Sequence, residues 1–262
     1  MYRPLRTPFL TLLPRNSSWE IASQLPALLP ATESNPTPIH IHVHYEPIRV
    51  AYQTVIDLVP KLLPADPSSP KPSQPPWQPD IILHIGLAAS RPCYTLEQGS
   101  YSLGYGQLND VDGNLFPDSK AKHKFPSTQF PARLETSFDT TDVLKRWREG
   151  IEGDEQIELP TVVQPSNDAG NFMCGFIYYN SLAHYYSINK AERPVVFLHV
   201  PDLTSSEKEL ENGKRVAIHL IQALVASRKE SGVVDETMKI EKSSSGSADV
   251  DAAKNRTDVN FA

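Results

Sequence analysis

Apolar and polar positions change period several times along the chain, and each change marks an element. Pro38–Tyr45 alternates, with Ile39, Ile41, Val43 and Tyr45 against His40, His42 and His44, which predicts a strand with one buried face. Val50–Leu63 carries Val55, Leu58, Val59, Leu62 and Leu63 at helical spacing. Asp80–Gly86 (DIILHIG) is a continuous apolar run of the kind a parallel sheet buries on both faces. Glu158–Gln164 and Pro194–Val200 predict two more strands, with Asn171–Ile188 as the helix between them. Thr140–Gly150 reads as a short helix closed by Gly150. Ser17–Glu20 and Thr204–Glu207 both have the capping-box pattern. The first helix is limited by Pro26 and Pro30; the second continues through Ala217, Leu220, Ile221, Leu224 and Val225. Strands alternating with helices predict an α/β fold: a three-layer α/β/α sandwich around a mostly parallel, mixed sheet.

Punctuation divides the rest. Residues 64–79 are Pro/Ser-rich loop, and 109–130 is polar and Pro-interrupted, opening an exposed, variable excursion over 109–157. Residues 1–230 are expected to form a single domain. From 231 to 262 Ser, Asp and Lys dominate with few apolar residues, so a disordered tail is expected. The 24 prolines, twice the glycine count, lengthen the irregular connections.

A net charge of -6 without a basic stripe argues against nucleic acid or an anionic membrane as partner. No apolar run reaches the ~18 residues of a membrane span. Arg3, Arg6 and Arg15 precede the first acid, Glu20, but Pro4, Pro8 and Pro14 break the helix a transit peptide needs. A cytoplasmic location is expected. Two cysteines, Cys93 and Cys174, cannot build a disulfide framework. The Asn16 and Asn255 glycosylation patterns are then chance matches.

The richest stretch is QPSNDAGNFMCGFIYYNSLAHYYSINKAERPVVFLHVP, Gln164–Pro201. Cys174 falls in the first turn of a predicted helix, where unpaired N–H groups and the helix dipole favour a thiolate. His199 ends a predicted strand and is suited to act as base and then acid. The plain alternative is a core cysteine and a strand-end histidine. His40, His42 and His44 share one predicted strand face, which is ligand-like spacing. With no acidic or cysteine partner nearby, a polar sheet face is the preferred reading, and no metal or cofactor is expected.

DAGNFMCGFIYYNSLAHYY followed by VVFLHVP resembles the active-site segment of pyroglutamyl peptidase type I, the pyrrolidone-carboxylate peptidases. HYEPIRVAYQTV and DIILHIGLAASRPCYTLE resemble the family's upstream segments, and the likeness runs with gaps from Pro8 to Ser227. The resemblance implies a cysteine peptidase that removes N-terminal pyroglutamate from peptides. It implies Cys174 as nucleophile, His199 as acid and base, and Glu97 as orienting carboxylate, ahead of Glu135, Glu155 and Glu158. Without it, Glu97 reads as a surface carboxylate in a loop. It also implies that Phe172, Met173 and Phe9 line a lactam pocket, and that Leu87 offers backbone groups to the ring.

The family opens with an apolar strand leading into Gly-Phe-Gly-Pro-Phe. Here Pro8-Phe9 align with the final Pro-Phe and Asn16–Glu20 with the helix start, while the strand and both glycines are missing. The expectation is a start codon placed too late rather than a dead enzyme, since all three catalytic candidates are kept. A binding protein that retains the fold without turnover is the alternative. A nucleoside phosphorylase is weaker, because no phosphate-cradling glycine loop is present.

Overall fold

The computed structural model describes residues 15–33, 35–64, 79–158 and 160–232; Phe9 and the tail beyond 232 lie outside them. Eight strands and six helices follow in the order α1 (Ser17–Ser23), β1 (Leu28–Leu29), β2 (Ile39–His40), α2 (Tyr52–Leu62), β3 (Ile82–Leu87), β4 (Tyr94–Glu97), β5 (Gly99–Tyr101), α3 (Asp118–Lys124), β6 (Arg133–Glu135), α4 (Thr140–Glu152), β7 (Val163–Ser166), α5 (Met173–Ile188), β8 (Val195–Val200) and α6 (Glu207–Ser231).

The central sheet has the order β3-β8-β4-β7. β3 runs parallel to β8, β4 parallel to β7, and β4 antiparallel to β8. Alternation along β8 sends its side chains to opposite faces. Val195 and Phe197 join one core with Tyr52 and Val55 of α2 and Phe176 and Tyr179 of α5. Val196, Leu198 and Val200 join a second core with Ile21 of α1, Trp147 of α4 and Leu220 of α6. Helices on both faces of a mixed sheet make the expected three-layer sandwich.

Trp147 is fully buried and its Nε1–H donates to the Val216 carbonyl at 2.8 Å, joining α4 to α6. Gly150 lies inside α4, and the helix closes at Gly153 instead. A Cβ at Gly150 would stand 2.8 Å from His219 Nδ1, so its bareness serves close helix packing rather than termination.

Local expectations shift where the chain found a better partner. The caps are Asn16, whose side chain accepts from Ser18 N, and Ser206, which accepts from Glu209 N; the second start moves two residues beyond the predicted Thr204. The strand predicted over Glu158–Gln164 slides to Val163–Ser166, because β4 starts at Tyr94 and its register pairs Tyr94 with Val163. The strand predicted over Pro38–Tyr45 shrinks to Ile39–His40, paired with Leu28–Leu29. Beyond His40 no ladder partner is found among the described residues, so Val43 and Tyr45 are exposed and the histidines share no strand face. The predicted excursion is not simply surface. Phe116, Phe125 and Leu134 from it are buried in the α5-side core, and α3 and β6 form within it.

Candidate active site

Strand register brings the chemistry together. Antiparallel pairing sets Thr95 opposite His199 and Glu97 opposite Phe197, so these four side chains share the α5 face of the sheet. Glu97 is fully buried on β4, not in a surface loop. Its Oε1 stands 2.8 Å from His199 Nδ1. An ionised carboxylate only accepts, which places the proton on Nδ1 and leaves Nε2 for the other side of the ring.

On that other side is Cys174, whose side chain is near enough to raise the His199 pKa. Cys174 is the second residue of α5. Burial works to lower the His199 pKa, but the charge and hydrogen bond of Cys174 and then those of Glu97 overcome it and push it up to about 9. A protonated imidazole held between a sulfur and a carboxylate is the electrostatic preference of the site.

Close backbone approach makes room for the sulfur. A Cβ at Gly86, which pairs with His199 across β3 and β8, would come within 2.6 Å of Phe197 Cζ and 3.0 Å of Cys174 Sγ. Gly170, at φ +82 in the turn before α5, has a conformation that L side chains disfavour. Its carbonyl would lie 2.0 Å from a Cβ at Gly175, so turn and helix are packed backbone to backbone. Ser100 Oγ donates to the Gly175 carbonyl at 2.8 Å, and Tyr178 OH donates to the Glu97 carbonyl at 3.0 Å.

The sequence reading missed Arg91. Its Nη1 donates to Glu97 Oε1 at 2.7 Å and its Nη2 to the Asp168 carbonyl at 3.0 Å. No pattern in the sequence singles out Arg91: it lies in the loop between β3 and β4 and acquires its role from what the fold brings against it. The other thiol differs in kind. Cys93 is buried, its Sγ accepts from Gln164 Nε2 at 3.0 Å, and burial pushes its pKa up against the lowering influence of Arg91.

Phe172 and Met173 are buried in the α5-side core, where Phe172 meets Tyr52 edge-on at 6.1 Å. Leu87 ends β3 opposite Val200. A cleft of about 360 Å³ opens beside Asn171, walled also by Gly104, Gly106, Gln107, Pro117 and Asp118. Among the described residues no three His, Cys, Asp or Glu side chains gather as metal ligands, and no helix is long and apolar enough to cross a membrane.

No family model matches the chain. Over 166 residues it is 28% identical to human pyroglutamyl-peptidase 1, an alignment covering 62% of this chain and 64% of that protein. Over 123 residues it is 30% identical to the pyrrolidone-carboxylate peptidase of Deinococcus radiodurans, covering 47% and 50%. Over these stretches the chain is similar to pyroglutamyl peptidases. It spans just under two thirds of the human relative's length and half of the bacterial one's. Two crystal structures share the pyroglutamyl peptidase fold with it. The pyrrolidone carboxyl peptidase of Thermus thermophilus matches with a TM-score of 0.51 at 24% identity, over 82% of this chain and 93% of its own. Pyroglutamyl peptidase I of Bacillus amyloliquefaciens matches at 0.55 and 21%, over 80% and 88%.

Proposed function

We propose that this chain is a cysteine peptidase that cleaves N-terminal pyroglutamyl residues from peptides, with Cys174, His199 and Glu97 as its working trio. The observation that carries the reading is His199 held between Glu97 Oε1 and the Cys174 side chain. Cys174 Sγ attacks the carbonyl carbon joining pyroglutamate to the next residue. The C–N bond breaks as His199 gives its Nε2 proton to the departing amine, leaving a thioester. His199, now neutral, takes a proton from water, whose oxygen displaces the sulfur and releases pyroglutamate. Glu97 keeps the imidazole in the useful tautomer and balances its charge in both half-reactions. Backbone N–H groups in the first turn of α5 have no intrahelical acceptors, which makes the Cys174 N–H a suitable donor to the developing oxyanion. Phe172, Met173, Leu87 and Phe9 are proposed to receive the flat, neutral lactam. Two cysteines that remain free thiols suit a cytoplasmic location.

A fluorogenic pyroglutamyl-amide substrate tests this directly. Turnover that disappears in Cys174→Ser and His199→Ala, both still folded, is the expected result. An unchanged rate in Cys174→Ser would remove the mechanism, and a silent wild-type protein that still binds pyroglutamyl peptides would make it a binding protein.

A further inference from the structure

We infer that Arg91 is a positioning residue, a cationic clamp that locks Glu97 to the turn preceding the nucleophile's helix and restrains how tightly His199 holds its proton. The inference rests on the reading of Cys174, His199 and Glu97 given above. Three hydrogen bonds carry it: Nη1 to Glu97 Oε1 at 2.7 Å, Nη1 to Thr95 Oγ1 at 3.3 Å, and Nη2 to the Asp168 carbonyl at 3.0 Å. The first holds the carboxylate that orients the base. The last holds the turn whose Gly170 packs against Gly175, one residue past Cys174. One side chain therefore spans the two parts of the trio, which lie 77 positions apart in the chain between Arg91 and Asp168.

Charge adds a second effect. Arg91 and His199 share a single oxygen, Glu97 Oε1, while Oε2 is buried without a hydrogen-bond partner among the described residues. The carboxylate is fully buried and the guanidinium partly exposed, so solvent screens the pair only in part. The other charged or titratable groups here are Cys174 and Tyr178 from α5 and Asp168 from the turn. Tyr178 donates a hydroxyl hydrogen bond to the Glu97 carbonyl, and the Asp168 carboxylate accepts from Gly170 N. Arg133 and Arg193 act on Tyr178. Arg91 is thus the cation in contact with the base's counter-ion.

Like charges bridged by one carboxylate oxygen, at an effective dielectric of ~20, repel by the equivalent of roughly two pH units. Partial exposure of Arg91 reduces this to about one. The test is an NMR titration of the His199 imidazole in wild type, Arg91→Met and Arg91→Lys, with no substrate present. Arg91→Met is expected to raise the His199 midpoint by about one pH unit and to lower kcat on a pyroglutamyl-amide ~10-fold or more, with KM little changed. Arg91→Lys, which keeps the charge, restores the midpoint. A folded Arg91→Met whose midpoint matches wild type would overturn the inference. If that variant does not fold, Arg91→Gln carries the same test with the same two outcomes. Absence of turnover in wild type removes the peptidase reading on its own, and the titration still decides the role of Arg91.

Discussion

Glu97→Gln removes one charge from the buried trio with almost no change of shape. The carbonyl oxygen of Gln is able to replace Oε1 and accept from both His199 and Arg91. Its NH2 group then occupies the place of Oε2, which has no partner among the described residues. A buried donor without an acceptor costs about 1–3 kcal/mol, so a comparable loss of stability is expected. The catalytic effect has a separate source. Burial works to lower the His199 pKa, and Glu97 is one of the two partners that oppose it to reach about 9. Without the carboxylate the midpoint falls by on the order of one to two pH units, and the imidazolium formed during catalysis loses a charged hydrogen bond of ~1.5–3 kcal/mol. The rate should drop ~10- to 100-fold, less than on loss of the nucleophile. The assay is kcat/KM against pH with a fluorogenic pyroglutamyl-amide. Wild type should lose activity as pH rises past about 9, and the variant should lose it at lower pH. An alkaline limb that stays in place, with a rate near wild type, would refute the idea that Glu97 governs the base.

Three further outcomes follow from the same geometry. The folded pKa of His199 lies above the ordinary 6.5, so its contribution to stability, up to about 3 kcal/mol, is complete below that value and fades as pH rises to about 9. Urea unfolding at the two ends of this window should show the loss in wild type and not in His199→Gln. Gly86→Ala sets a methyl 2.6 Å from the Phe197 ring and 3.0 Å from the Cys174 sulfur; overpacking of ~1–3 kcal/mol should lower Tm and kcat together. Ser206→Ala removes the cap bond to Glu209 N and should cost about 1 kcal/mol, visible as a lower denaturation midpoint with kcat unchanged.

Long periodic segments were legible in the sequence because their own apolar faces decide their structure. The segments carrying Cys174 and His199 are of this kind, and α5 and β8 form within two residues of where they were predicted. Glu97 was reached through resemblance, because Tyr94–Glu97 is only four residues long and alternates too briefly to stand out. Its burial comes from two neighbours, β8 and β7, which are remote in the chain. The 38–45 alternation failed for the converse reason. Period two makes a segment suited to a sheet but supplies no neighbour, and pairing ends at His40. Prolines and charges across 109–130 hid Phe116 and Phe125, whose burial depends on α5 offering them an aromatic surface. Arg91 carries no periodic signature; only the closed fold shows what it touches.

The helix bearing Cys174 is enclosed by the protein on nearly every side. From Phe172 to Ala183 each residue is buried except Cys174. That single window concentrates the chemical vulnerability of the segment at one sulfur. A peroxide or small electrophile stepping a thiol of this segment along the oxidation ladder would therefore act at Cys174. Oxygen added to that sulfur has little room, since a Cβ at Gly86 would already stand 3.0 Å from it, so damage there is expected to cost stability together with the proposed activity.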